Sequence, residues 1–332
     1  MIPKKGTLPV LSLVFGLLFA IGFSVQFGSV EIQLKDLLTG LSDQQSLVIW
    51  ELRLPRIIMT ALVGAGLAVA GVTLQALFRN PLAEPGLIGV SSSAALGAVL
   101  VIVLGGAWWG GVSSWQMSVA AFVFAMFTTV LLYLIATRRG QTDVAMMLLA
   151  GVAINAIAGA LTGLLITVSS DIQLRSVIFW MMGSFANVDW QDVAIVATVV
   201  LISLMGLWRL MKPLNAFLLG EQACLHMGYA VQPLKWWVMG LSALLVAAAV
   251  SLVGVIGFVG LVVPHMIRLW VGPDHRALIP LSALGGALLL VLADLLARSL
   301  LHPAELPIGL LMALLGGPFF LMMLLKRRDL KL

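Results

Sequence analysis

Few residues of this 332-residue sequence are of a kind that does covalent chemistry, and those few are not spaced to act together. His226, His265, His275 and His302 are scattered, and no H-E-x-x-H pair exists. The one cysteine, Cys224, excludes a disulfide framework or a Cys-based metal cluster. No lysine follows a glycine, so the phosphate-cradling G-x-x-x-x-G-K loop is absent and the chain is not itself a P-loop ATPase. Ion coupling would need charges inside apolar runs, and these are rare; Asp294 and Glu305 are expected near the outer membrane boundary beside Arg298. No Arg-rich voltage sensor or TVGYG-like filter is present. Two sets of residues remain as candidates. Arg53, Arg56 and Arg298 carry guanidinium forks suited to carboxylates, or alternatively snorkel as interface anchors. Gly151, Asn155, Gly159 and Gly163 recur every four residues, a spacing that brings helix backbones close or lines a pathway.

The elements that position these residues are membrane spans. The chain is 61% hydrophobic and 10% charged, with mean hydropathy +1.11. Soluble domains carry about 25% charged residues, so a water-soluble fold is excluded. A span takes about 20 apolar residues. Apolar runs predict ten helices, near 8–28, 55–77, 87–105, 115–137, 143–168, 192–211, 236–254, 257–271, 277–297 and 306–325. The runs are continuously apolar rather than alternating, which argues against a β-barrel. The first is too long for a signal-peptide core and lacks a cleavage site, so it is kept as a span. Ten spans with both termini inside place 14 of the 19 basic residues on the inner side and five, Lys35, Arg53, Arg56, Arg175 and Arg298, outside. The positive-inside rule supports that count and orientation together, and the +5 net charge implies no nucleic-acid partner.

Three connections exceed simple turns: outer segments 26–51 and 169–189, and the inner loop 212–235. The inner loop mixes Leu214, Phe217, Leu218, Leu219, Leu225 and Met227 with polar residues, and reads as one or two amphipathic helices lying on a partner or on lipid headgroups. Gly64, Gly66 and Gly71 favour close packing in the second span, and Gly254, Gly257 and Gly260 loosen a break between the seventh and eighth.

Several strings are more specific than hydropathy. They are Arg53-Leu54-Pro55-Arg56, the run from Gln75 through Asn80-Pro81-Leu82-Ala83-Glu84-Pro85 to Gly86, Leu149-Ala150-Gly151-Val152-Ala153 and Trp180-Met181-Met182-Gly183. Further on come Gly257 through Pro264-His265, Asp274-His275-Arg276, and Ala304-Glu305-Leu306-Pro307-Ile308-Gly309. In this order and spacing, over nearly the whole chain, the sequence resembles the permease subunits of type II ABC importers for iron-siderophores, haem and cobalamin. The resemblance implies an all-α integral membrane protein of about ten spans, a single permease domain over 1–332, in a bacterial inner membrane. It implies a homodimer of permeases, two cytoplasmic ATPase subunits that hold ATP and Mg, and a periplasmic substrate-binding protein. This chain itself would then be no enzyme and bind no cofactor or metal.

The resemblance also assigns residues. Arg53, Arg56 and Arg298 match outer arginines that accept glutamates of the binding protein in the cobalamin member. Asn80 and Leu82 match a cytoplasmic gate, whose second element falls at Val144 and Ala145; hydroxyl residues stand there in the cobalamin member, a departure that weakens the cobalamin assignment. Leu214, Asn215, Phe217, Leu218, Gly220, Glu221, Leu225 and Gly228 match the helices that couple to the ATPase. Ala153-Ile154-Asn155-Ala156, Leu174-Arg175-Ser176, Gly272–Arg276 and Gly316–Phe320 look like haem and siderophore permeases, whereas Asn187-Val188-Asp189-Trp190 and 213–221 look like the cobalamin permease. The expected cargo is a bulky metal chelate, haem or an iron-siderophore, with cobalamin the alternative and an ion-coupled secondary transporter a more remote one.

Overall fold

The computed structural model describes residues 7–27, 36, 40–301 and 304–329. Helix α1 (Thr7–Gln26) is followed by the short α2 (Asp43–Leu47), which runs through a π-helical turn, Val48–Arg53, into α3 (Leu54–Leu77). A 3-10 turn at Pro85–Ile88 precedes α4 (Val90–Trp109) and α5 (Ser114–Ala136). A two-stranded hairpin, β1 (Thr137–Arg138) and β2 (Gln141–Thr142), then leads into α6 (Val144–Thr167), pairing Thr137 with Thr142. The second half comprises α7 (Asp171–Met182), α8 (Trp190–Arg209), α9 (Met211–Leu218), α10 (Glu221–His226), α11 (Val231–Val253), α12 (Val259–Val271), α13 (His275–Ser299) and α14 (Ile308–Asp329).

The ten predicted spans correspond to α1, α3, α4, α5, α6, α8, α11, α12, α13 and α14. Among the described residues eight helices are long and apolar enough to cross a bilayer, and Val259–Val271 and Ile308–Met323 are shorter. Local chemistry sets several starts. Ser42, Ser113, Ser170 and Asp189 each cap a helix reciprocally with the residue three positions on, satisfying amide groups that a helix start leaves unpaired. Ser170 and Gln173 thereby begin α7, so the connection 169–189 is largely helical. The connection 26–51 likewise contains helix from Asp43 onward, because the second span extends back through the π-helical turn.

Two helices form the centre of the bundle. The apolar windows of the α2–α3 helix and of α11 are 78% and 72% buried, against 17% for α1 and for α6. Close approach needs small residues, and α3 and α13 meet through two glycines. A Cβ on Gly64 would lie 2.2 Å from the Gly286 carbonyl oxygen, and one on Gly286 would lie 2.2 Å from that of Gly64. Further along α3, a Cβ on Gly71 would meet the Gly260 carbonyl at 2.0 Å. The hydroxyls of Thr73 and Ser242 share a buried hydrogen bond of 2.8 Å between α3 and α11. Without a hydrophobic force between helices in lipid, such contacts hold a bundle together.

Two backbone breaks lie deep in the bundle. Asn155, eleven residues into α6 and so about 16 Å from its start, donates its side-chain amide to the Gly86 carbonyl at 3.1 Å. The segment 78–89 therefore turns back into the bundle to lie against the middle of α6. The second break, 254–258, separates α11 from α12, and Phe258 there adopts φ +67°, strained for a side chain of that size. Irregular backbone at this depth is tolerated only where protein covers it or a cavity lies beside it. The end of the bundle that carries α9 and α10 is its lower end, and the opposite end its upper.

Candidate functional site

At the lower end α9 and α10 are two short helices, as the amphipathic pattern of 212–235 predicts, but their apolar face is turned inward. Leu214 and Phe217 are completely buried within this chain, so they hold the element in place and are not available as the partner contacts expected of them. Asn215 is also internally committed. Its amide donates to Asp274 Oδ1 at 2.6 Å, and its oxygen accepts the His275 backbone N–H at 2.9 Å. Burial works against the Asp274 charge, but the Arg276 N–H and the Asn215 amide outweigh it and hold this carboxyl below its usual range. The outward face instead presents Leu218, Leu219, Leu225 and Met227, of which Leu219 is 68% exposed. Gly220 and Gly228 bound α10, at φ +119° and +83°, left-handed turns that suit glycine.

The two segments expected to form a gate sit against this unit. In the turn after α3, Asn80 Oδ1 accepts the Leu82 N–H at 3.0 Å, and Arg79 stands at φ +46°. The Arg79 guanidinium lies 4.8 Å from the centre of the Phe217 ring and 3.6 Å from Glu221 Oε1. The second element begins α6, where Asp143 caps the helix through the Ala145 and Met146 amides. Val144 is half-buried and Ala145 exposed. Just before them, the Thr142 carbonyl accepts Lys235 Nζ at 2.7 Å, and Lys235 pairs with Glu221 at 2.8 Å. The turns at Asn80–Leu82 and Val144–Ala145 are thus joined through Arg79, Glu221, Lys235 and Thr142, rather than by a direct hydrogen bond to each other.

Midway along the bundle Glu84 carries the one carboxylate of the segment 78–89, and its Oε1 accepts the Phe258 N–H at 2.6 Å. One side chain thereby pins the first break to the second. A cavity of about 240 Å³ opens here, lined by Glu84, Ser91 and Ser92 against Leu67, Val246 and Ile256. Of the four small positions on α6, Gly151 meets the Leu87 carbonyl, where a Cβ would lie 2.4 Å away, and Asn155 bonds Gly86. Gly159 and Gly163 have open space around them. Four-residue spacing drifts around a helix of 3.6 residues per turn, so only the first two reach the neighbouring backbone.

At the upper end the three arginines expected to face outward are engaged within the chain. Arg53 is 4% exposed, and its Nη1 donates to the carbonyls of Val25 and Gln26, capping the end of α1. Arg56 is bidentate to Asp294, at 2.9 Å for the shortest pair, and reaches Glu305 at 2.9 Å. Arg298 bonds the side chain of Ser24 and the Phe27 carbonyl, and lies 3.2 Å from Asp294. The reason is geometric: helix carbonyls and a buried aspartate at the same depth satisfy these forks before any partner arrives. Glu305 is the exposed member, with 42% of its side chain accessible.

Lys235 and Glu84 were not singled out by the sequence reading. The available signal was an ionisable residue within an apolar segment, which in a membrane is costly enough to need a partner. Among the described residues no cluster of three or more histidines, cysteines and carboxylates could hold a metal ion.

A buried helical bundle with two breaks at mid-depth, ion-paired turns at one end and an amphipathic helical pair beneath them defines a membrane permease of the ABC-importer type. The chain belongs to the FecCD transport family, whose model matches residues 16–326. It is 41% identical over 319 residues to the hemin transport system permease protein HmuU of Yersinia pestis, covering 96% of this chain and 95% of that one. It is 40% identical over 315 residues to the vitamin B12 import system permease protein BtuC of Shigella boydii, covering 94% and 93%. A solved metal-chelate type ABC transporter in an inward-facing conformation superposes with TM-score 0.87 at 35% identity, covering 95% of this chain and 98% of that one.

Proposed function

We propose that the chain carries a bulky metal chelate, haem or an iron-siderophore, across a bacterial inner membrane, driven by ATP hydrolysed on partner subunits. The observation that supports this cargo is the similarity to a hemin permease over 96% of this chain and 95% of that one. Cobalamin is the second reading, supported by the nearly equal similarity to vitamin B12 permeases. In this reading the lower end is cytoplasmic, both termini lie inside, and two ATPase subunits holding ATP and Mg press on the exposed face of α9–α10. A binding protein delivers cargo to the upper end. Its docking carboxylates would approach Arg56 by displacing Glu305, since Arg53 and Arg298 are tied to the end of α1. A second permease copy would cover the apolar face of α6, where Val152, Ile157 and Leu164 are each at least 60% exposed.

The test is uptake into proteoliposomes containing the permease, its ATPase and its binding protein, with haemin, a ferric siderophore and cyanocobalamin offered separately. Uptake of haemin or the siderophore that stops on ATP depletion is the expected result. Uptake of cyanocobalamin alone favours the second reading, and uptake that an ionophore abolishes while ATP depletion does not overturns both.

A further inference from the structure

Lys235 is 1% exposed, a buried cation near the lower end of α11. Its ammonium is fully used: the Thr142 carbonyl accepts at 2.7 Å, and both Glu221 oxygens lie within 2.9 Å. Burying a cation is costly unless it is paired, and the carboxylate that pairs it here is itself 38% accessible. The pair therefore asks for a geometric explanation, and its neighbours supply one. Glu221 opens α10 and faces Arg79, which also lies over the Phe217 ring of α9. Gln232, one turn from Lys235, accepts the Thr142 N–H at 3.0 Å, so α11 holds that residue by both backbone groups. A cavity of about 880 Å³ lies between the hairpin and α10, bordered by Arg139, Gln141, Glu221, Leu225 and Lys235. The hairpin is thus not packed solid against α10, and its ties there run through Lys235.

We propose that Glu221 is the positioning residue that divides a displacement of α9–α10 between the two gate turns, through Arg79 to the turn at Asn80–Leu82 and through Lys235 to Thr142 and the start of α6. The inference rests on the reading that an ATPase presses on α9–α10. A rigid-body shift of a packed element moves whatever is bonded to it, and Glu221 is the group bonded toward both turns. Loss of the carboxylate charge leaves Arg79 and Lys235 without their common partner. Loss of either cation releases one turn only.

The experiment is hydrogen exchange on the reconstituted complex of permease, ATPase and binding protein, combined with haemin, ferric siderophore or cyanocobalamin taken up per ATP hydrolysed. Glu221→Gln is expected to speed exchange in both 79–83 and 142–146, and to lower uptake per ATP about tenfold, within the range of known coupling energies. Lys235→Met is expected to speed exchange in 142–146 alone, and Arg79→Ala in 79–83 alone. Arg79 is an exposed side chain, so its variant keeps the test open if Glu221→Gln fails to fold. Faster exchange confined to α10, or wild-type uptake per ATP in Glu221→Gln, overturns the proposal. A wild-type complex without ATP-driven uptake of any of the three probes overturns instead the reading on which it rests.

Discussion

The glycine contact between α3 and α13 makes the most quantitative prediction. An alanine at position 64 or 286 places its Cβ 2.2 Å from a carbonyl oxygen on the opposite helix. Ordinary van der Waals contact begins near 3.4 Å, so the two axes must separate by about 1 Å at that level, and overpacking of this kind typically costs ~1–3 kcal/mol. The strain has a second site of action. Arg56 and Asp294 each stand eight residues from their glycine along the same pair of antiparallel helices, about 12 Å away at 1.5 Å per residue, and their bidentate geometry depends on the same separation. Gly64→Ala and Gly286→Ala should each lower the midpoint of thermal unfolding in detergent, followed by calorimetry or near-ultraviolet circular dichroism. Because one separation relieves both clashes, the double variant should cost clearly less than the sum of the singles, the sign of coupled sites. Unchanged midpoints in the singles, or strict additivity in the double, would refute the reasoning.

Other predictions follow from the same geometry. Arg56→Leu leaves Asp294 with Arg298 alone and Asp294→Asn leaves Arg56 with Glu305 alone, so each should cost ~1.5–3 kcal/mol and the two together less than their sum, by the same thermal assay. Asn155→Leu leaves the Gly86 carbonyl without this donor at mid-depth and should cost ~1–2 kcal/mol. Cys224 is buried, and burial, with Glu221 nearby, pushes its thiol above the ordinary value. The thiolate fraction is therefore small at pH 8 and grows as pH rises, so maleimide labelling of the folded protein should be slow at pH 8 and accelerate toward pH 10. Rapid labelling at pH 8 would mean that α10 is not docked as described. If docking carboxylates displace Glu305, Glu305→Gln should tighten binding of the cognate binding protein in a surface-capture assay, and weaker binding would count against that route.

The spans were legible because lipid demands continuous apolar runs, and Leu54–Leu77 or Ser114–Ala136 can be read by eye. Amphipathic helices at 212–235 were legible for the same reason at smaller scale. The arginines show where reading stops. Charge asymmetry assigns a side of the membrane to Arg53, Arg56 and Arg298, but their partners, Val25, Asp294 and Ser24, come from distant parts of the chain. Leu214 and Phe217 failed for a related reason, since an amphipathic pattern tells which residues share a face and not which way that face is turned. Glu84 and Lys235 acquire meaning only from Phe258 and Thr142, 174 and 93 positions away. Helix α7 was missed because twelve residues of mixed polarity resemble a loop until Ser170 and Gln173 are recognised as a reciprocal cap.

The backbone contact at Gly64 and Gly286 also limits how this molecule can move. Two helices that touch through their main chains, clamped twelve ångströms higher by a two-pronged ion pair, have little freedom to slide or hinge against each other. They form a stiff axle. Shape change must then be taken up by the staves around it, the lightly buried α6 and α8 and the two unwound segments joined by Glu84. A passage that opens and closes would run along the edge of that axle and never through it, with its width set by how far the outer helices swing.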